Sequence, residues 1–297
     1  MERPVLFTGA SNRADMSAEN RGRAERYFRH ATERHWSPYE IDLAADRAAI
    51  SDLGRSAFTQ LRATIAMFGA GEENVTEDLV PLAATTTNKT DQRFVASHIY
   101  EEAKHAAFFE RYWKDVIRPA EDARGLDPTD PTADRWFTAA YEEIFNRTET
   151  AMNQLLDDDT PTNRANAYCH YHLTVEGVFG QTGFHAIEAT FDPETDGPSL
   201  PGLVEGISHV RQDEGRHVGY GMNQLAELLQ RTAVERSFVE ETVETLAEPV
   251  DAVVERMGWR RLPGPDSDDL TAFAVRKRRD RLAQLSRGAE SEHGTVN

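Results

Sequence analysis

The sequence predicts an all-α fold, a four-helix bundle core carrying additional flanking helices. Three observations predict it. Apolar residues return at helical spacing along almost all of the 297 residues, with no strand-like alternation and no repeat of solenoid length. Glu-x-x-His occurs twice, as Glu102-Ala103-Lys104-His105 and as Glu214-Gly215-Arg216-His217. A separate helical segment with an inward-looking glutamate precedes each copy, Glu72 before the first and Glu176 before the second. One Glu from each of two helices plus a Glu-x-x-His from each of two others is the way four-helix bundles build dinuclear metal sites.

The elements follow in order. A first helix spans Ala18–Glu33 and is broken by His35-Trp36-Ser37-Pro38-Tyr39. A second covers Asp42–Phe68, and Gly69-Ala70-Gly71 bends it before the segment with Glu72. The third, Asp91–Ile117, carries the first Glu-x-x-His and ends at Arg118-Pro119, since proline lacks an N–H and restricts the residue before it. A loop rich in Asp, Pro and Gly runs on to Pro131. The fourth helix, Ala133–Leu156, is closed by Asp157-Asp158-Asp159-Thr160-Pro161. The fifth, Asn163–Thr190, carries Glu176, and the sixth, Leu203–Leu229, carries the second Glu-x-x-His. Two more, Val234–Met257 and Ser267–Leu285, are expected to pack outside the site. No linker divides the chain, so residues 1–285 are expected to form one domain, and the polar Ser286–Asn297 a disordered tail.

Composition narrows the function classes. The net charge of -18 speaks against nucleic acid or an anionic membrane as partner. Lysines number four, Lys89, Lys104, Lys114 and Lys277, and the other basic residues are arginine. An acid-rich, lysine-poor surface suits a salty cytoplasm, where screening removes the self-repulsion, so a halophilic source is expected, with destabilisation at low salt. There is no apolar run long enough for a membrane span. The start MERPVLFTGASNRADM lacks the charged and apolar regions of a signal peptide. The single cysteine, Cys169, excludes an intramolecular disulfide, and a reducing cytoplasm is the expected location.

The chemistry requires these residue types at this spacing. Residues three apart on a helix lie about 60° apart on one face. Glu102 and His105 therefore reach the same metal or its bridge, as do Glu214 and His217. With Glu72 and Glu176, four glutamates offset the charge of two divalent ions; without metal, four carboxylates converging in a core repel and desolvate at severe cost. Oxygen ligands with two imidazoles suit iron or manganese, and O2 activation needs redox-active ions. A single Glu or His on a helix is more often solvent-facing or salt-bridged. Here Glu102 and His105 sit among Ile99, Tyr100, Ala106, Ala107 and Phe108, and Glu176 sits within Leu173–Phe179. Ionisable groups inside such apolar runs need partners. Glu73 adjoins Glu72, and Glu101, at i,i+4 from His105, remains an alternative to Glu102. Asp213 is placed to accept a hydrogen bond from a ligand histidine's far N–H, fixing its tautomer; the plainer reading is a surface acid.

These segments resemble the class I ribonucleotide reductase small-subunit superfamily, with its ferritin-like fold, over roughly Trp36 to Gly221. The match is closest to the ligand-binding oxidase branch, through Gly-Glu-Glu-Asn-Val-Thr at 71–76, Glu-Glu-Ala-Lys-His-Ala-Ala-Phe-Phe at 101–109, Val-Glu-Gly-Val-Phe-Gly-Gln-Thr-Gly-Phe-His-Ala at 175–186 and Asp-Glu-Gly-Arg-His at 213–217. The resemblance implies an oxidoreductase with one manganese and one iron that activates O2 for two-electron oxidation. It implies a long-chain fatty acid as a metal ligand, a homodimer, and an ether cross-link between a valine β-carbon and a tyrosine oxygen. By position these are Val75, three residues after Glu72, and Tyr171, five before Glu176; ordinary core packing is the alternative role for both. Val75 shares a face with Glu72, but Tyr171 and Glu176 stand about 140° apart on an ideal helix, so their convergence needs a helical irregularity. Phe179, Phe184 and Phe109 are candidate walls of an apolar tunnel for the acid.

Other readings share this ligand set. A ribonucleotide-diphosphate reductase small subunit often carries a radical tyrosine one turn after the first histidine ligand, where this chain has Phe109. It also needs an aromatic relay near its C-terminus, and no aromatic residue follows Phe273. A ferritin-like iron store is usually shorter and assembles into a shell. A dinuclear-iron oxygenase or desaturase is compatible with the ligands alone. Glu and His sites generally hold iron(II) more tightly than manganese(II), so a di-iron pair is the alternative cofactor.

Overall fold

The computed structural model describes residues 18–258 and 262–290, with side chains over 22–285. The described residues contain helices and no strand. In chain order they are α1 (Ala18–Glu33), α2 (Ala44–Ala49), α3 (Arg55–Thr85), α4 (Lys89–Tyr112), α5 (Arg118–Ala123), α6 (Ala139–Asp157), α7 (Pro161–Tyr168), α8 (Gln181–Phe191), α9 (Pro201–Arg231), α10 (Arg236–Thr245), α11 (Ala247–Met257) and α12 (Ser267–Glu290). A π-helical segment, Cys169–Gly180, joins α7 to α8 into one continuous rod.

Four rods make the bundle: α3, α4, the α7–α8 rod and α9. The remaining helices cover it, α1 lying on α4 and α9, α6 on α3, and α12 on the π segment and α9. Asn88 caps α4, its side chain accepting from the Thr90 and Asp91 amides. Two glycines of α9 set how closely the rods approach. A Cβ at Gly206 would lie 2.0 Å from the Phe108 ring of α4, and one at Gly221 would lie 2.2 Å from His172 of the π segment.

The core is layered along the bundle axis. One apolar cluster includes Phe58, Leu61 and Ile65 of α3, Phe108 and Phe109 of α4, Phe184 and Ile187 of α8, and Leu203, Ile207 and Val210 of α9. The other includes Val75, Leu79 and Leu82 of α3, Phe94 and Val95 of α4, Tyr168 and Tyr171 of the third rod, and Val218 and Leu225 of α9. Every rod contributes to both clusters, and Glu72, Glu102, His105, Glu214 and His217 lie between the stretches that do so. The chain thus packs a charged layer between two apolar clusters.

Several helix boundaries differ from expectation. The second predicted helix is interrupted: α2 passes through a 3-10 turn, Ile50–Asp52, and α3 begins only after Gly54. Gly69-Ala70-Gly71 do not break α3, which continues to Thr85 with Pro81 inside it. Arg118-Pro119 do not end the third helix. It widens into a π turn at Trp113–Ile117 and continues as α5, where Pro119 occupies the first turn, a position whose N–H has no intrahelical partner to lose. The segment 133–138 holds a 3-10 turn, Asp134–Trp136, before α6 begins. Leu246 divides the predicted Val234–Met257 helix into α10 and α11, and α12 runs past Leu285 to Glu290. The rest of the expected tail, 291–297, and the start of the chain lie outside the described residues. Among the described residues no helix is long and apolar enough to cross a membrane.

Candidate metal centre

All six predicted ligands are buried in the charged layer. Glu72 comes from α3, Glu102 and His105 from α4, Glu176 from the π segment, and Glu214 and His217 from α9. Their donor atoms fall into two groups, each with all atoms within 4.8 Å of one another: Glu72, Glu102, His105 and Glu214, and then His98, Glu102, Glu176 and His217. Glu102 belongs to both, the position of a bridging carboxylate. In the first group, His105 Nδ1 lies 3.2 Å from Glu102, 3.3 Å from Glu72 and 3.6 Å from Glu214. In the second, His217 Nδ1 lies 2.9 Å from Glu102 and 3.7 Å from both Glu176 and Glu214.

The two ligand histidines are held from behind in the same way. Both turn Nδ1 inward and place Nε2 against a buried carboxylate. His105 Nε2 lies 3.1 Å from Asp213 Oδ2. Trp36 Nε1 donates to the same oxygen at 2.8 Å, and Lys104 Nζ lies 2.7 Å from it. His217 Nε2 lies 2.8 Å from Glu101 Oε2. Arg216 donates to both Asp213 and Glu101 and joins the two supports. Glu101 thus stands behind a histidine and is absent from both ligand groups, while Glu73 is exposed. Such carboxylates fix the histidine tautomer and raise its basicity.

The electrostatics of the layer are those of a cation site. Burial pushes the Glu72 carboxyl well above its ordinary range. Burial does the same to Glu176, aided by the charge of Glu214, and raises Glu214 itself, aided by Glu102. Burial works against the charged form of Glu102 too, but His217, His105 and His98 outweigh it and hold that carboxyl well below the usual range. His105 and His217 are raised well above theirs: burial opposes this, and the carboxylates around them prevail. Burial, with the His217 charge, lowers His98 to about 4. Several inward atoms have no hydrogen-bond partner, namely Glu102 Oε1, Glu176 Oε2, Glu214 Oε2 and His217 Nδ1. Orphaned buried polar atoms are rare in proteins. Four of them converging here, with hard oxygen and imidazole donors, fit two divalent metal ions.

The π segment supplies the irregularity that the Tyr171 and Glu176 spacing requires. Its hydrogen bonds join i to i+5, which brings residues five apart onto one face. The Tyr171 hydroxyl donates to the Val75 carbonyl at 3.1 Å, and both side chains are buried. Burial raises the Tyr171 phenol well above its ordinary value, as do the surrounding glutamates, Glu102 first, so it is held protonated. A narrow, mostly apolar cavity reaches Glu72, Glu176 and Glu214. Phe179 and Phe184 line it, with Phe68, Phe145 and Val75. Phe109 does not line it but stacks on Phe68 from behind, ring centroids 5.1 Å apart.

Comparison with known proteins agrees with this architecture. The profile of one family, ribonucleotide reductase, small chain, matches residues 16–285. Among solved structures, a variant of an R2-like ligand-binding oxidase with an aerobically reconstituted Mn/Fe cofactor is similar at 24% identity and a TM-score of 0.78, covering 89% of this chain and 93% of that one. Another variant of such an oxidase, with a non-activated Mn/Mn cofactor, gives 24% identity and a TM-score of 0.77 over the same shares. At these identities the likeness establishes the fold.

Proposed function

The chain belongs to the ribonucleotide reductase small-chain family, and within it we propose that this protein is a ligand-binding oxidase. In this reading Glu72, Glu102, His105, Glu176, Glu214 and His217 hold one manganese and one iron ion, and a long-chain fatty acid lies in the apolar cavity with its carboxylate at the metals. The observation that carries it is the hydrogen bond from the Tyr171 hydroxyl to the Val75 carbonyl, with Val75 lining the cavity beside Glu72 and Glu176.

A bound redox-active pair supplies the O2 chemistry. The chain's own residues position and protect it. Glu72, Glu176 and Glu214 present carboxylate oxygens to the ions and to the cavity, Asp213 and Glu101 hold the histidines, and the two apolar clusters exclude water. Val75 and Tyr171 are the internal substrate. Val75 gives up its Cβ–H and Tyr171 its O–H, and a Cβ–O ether bond forms. The two electrons and two protons released go to O2. A bound redox-active pair would supply the other two electrons that reduction of O2 to water requires, and solvent the other two protons.

Peptide mass spectrometry on protein loaded with manganese and iron and then exposed to air tests this. The Val75 and Tyr171 peptides should appear joined, with two hydrogens lost. Separate peptides in a sample shown to hold both metals would remove the oxidase reading and leave the protein a small-chain member of other activity.

A further inference from the structure

We propose that His98 is a positioning residue for the second metal: its Nε2–H holds Glu176 and its ring holds His217, without His98 itself being a ligand. This rests on the dinuclear reading above. His98 lies on α4, one turn before Glu102, and is completely buried. Its Nε2 makes a hydrogen bond of 2.9 Å with Glu176 Oε1. It is equally 2.9 Å from Glu102 Oε1, so the ring nitrogen faces a carboxylate of each residue, while Glu176 Oε2 remains without a hydrogen-bond partner. The ring therefore ties down one oxygen of Glu176 and leaves the other for a metal.

Two features distinguish His98 from the ligand histidines. The first is its far nitrogen. His105 and His217 each hold Nε2 against a carboxylate and aim Nδ1 inward. His98 aims Nε2 inward, and its Nδ1 meets no acceptor among the described residues; its ring neighbours on other sides are Phe94, Tyr171 and His172. A neutral imidazole carries one N–H, and here only Nε2 has a carboxylate to receive it. A nitrogen that carries the proton cannot coordinate.

The second feature is stacking. The His98 and His217 rings lie 3.6 Å apart between centroids, inclined by 26°. Two imidazoles at right angles on one ion, with metal–nitrogen bonds near ~2.1 Å, would hold their centroids about 4.6 Å apart. His98 lies on the face of His217 instead of beside it around a shared ion. The result is a brace that orients one carboxylate and one imidazole of the second site.

The test uses the whole protein and two substitutions. His98→Phe keeps the stacked ring and removes the donor; His98→Gln keeps a donor near the Nε2 position. Anaerobic competition titration with manganese(II) and iron(II) should show the second equivalent bound ~10–100-fold more weakly in His98→Phe, the usual effect of losing an outer-shell partner. The first equivalent should stay within about twofold, and His98→Gln should recover most of the loss. Pulsed EPR on protein labelled with nitrogen-15 histidine should count one coordinated imidazole per ion in the wild type and in both variants. A second coordinated imidazole on one ion, absent from the variants, would make His98 a ligand and overturn the proposal; so would unchanged binding in a folded His98→Phe. If that variant does not fold, the nitrogen count in the wild type decides alone. A wild-type protein that binds fewer than two ions overturns the dinuclear reading itself, a separate and recognisable result.

Discussion

Glu101 accepts a hydrogen bond from His217 Nε2 at 2.8 Å, as Asp213 does from His105 at 3.1 Å. The two carboxylates are bridged by Arg216, so the second-site histidine and the first-site histidine lean on one connected support. Removing the charge from one end should show which ion it serves. Glu101→Gln is expected to weaken the ion at His217 by ~10–100-fold and Asp213→Asn the ion at His105 by a similar factor, each with a smaller effect on the other ion. Chelator competition with metal-specific readout measures this. Wild-type affinity in both variants would show that the support is only structural.

The protonation of the layer predicts a pH dependence of definite sign. The Glu72, Glu176 and Glu214 carboxyls and the His105 and His217 imidazoles are all raised in the folded chain. A raised group contributes stability that is complete below its unfolded value and is lost as pH rises through its folded value. Glu102, held low, acts oppositely, but its contribution is lost only on acidification below the ordinary carboxylate value of 4.5. Above the ordinary histidine value of 6.5, the metal-free protein should therefore lose stability as pH rises. Metal ions displace those protons, so the gain in Tm on adding manganese(II) should be larger at about pH 8 than at about pH 6. Equal gains at the two pH values, measured by calorimetry, would contradict it.

The cavity makes a prediction about lipid. A Cβ at Gly71 would stand 3.3 Å from the Phe145 ring and 3.4 Å from the Tyr141 hydroxyl, next to Glu72. Gly71→Leu should fill this part of the cavity and abolish co-purification of a long-chain fatty acid, seen by mass spectrometry of solvent extracts, while two metal equivalents still bind. The same acid recovered from wild type and variant in equal amounts would place the lipid elsewhere.

The buried cluster of glutamates and histidines was legible because its pattern is local. Glu102 with His105, and Glu214 with His217, are related by the three-residue spacing that any helix converts into a shared face. The apolar runs around Glu102 and Glu176 announced burial, and the order of six residues announced four rods. The irregularity needed near Tyr171 could be named as a requirement, since the angle on an ideal helix was wrong, and the π segment meets it. The breaks were read less well. Gly69-Ala70-Gly71 and Pro119 looked like helix breakers, yet α3 runs through the glycines because packing against α4 and α6 holds it, and a π turn makes room for the proline.

Sequence by itself therefore determined the helical class and that the two Glu-x-x-His pairs and the two lone glutamates would turn inward from four helices, because periodicity and i,i+3 spacing are properties of a single helix. Tertiary structure alone decided what stands behind and beside those ligands. His98 meets Glu176 across 78 residues of chain, and Glu101 meets Arg216 and His217 across 115 and 116. A histidine on α4 outside the Glu-x-x-His and the first of two adjacent glutamates carry no spacing that marks them, since their partners are brought to them only when the four rods close around the charged layer.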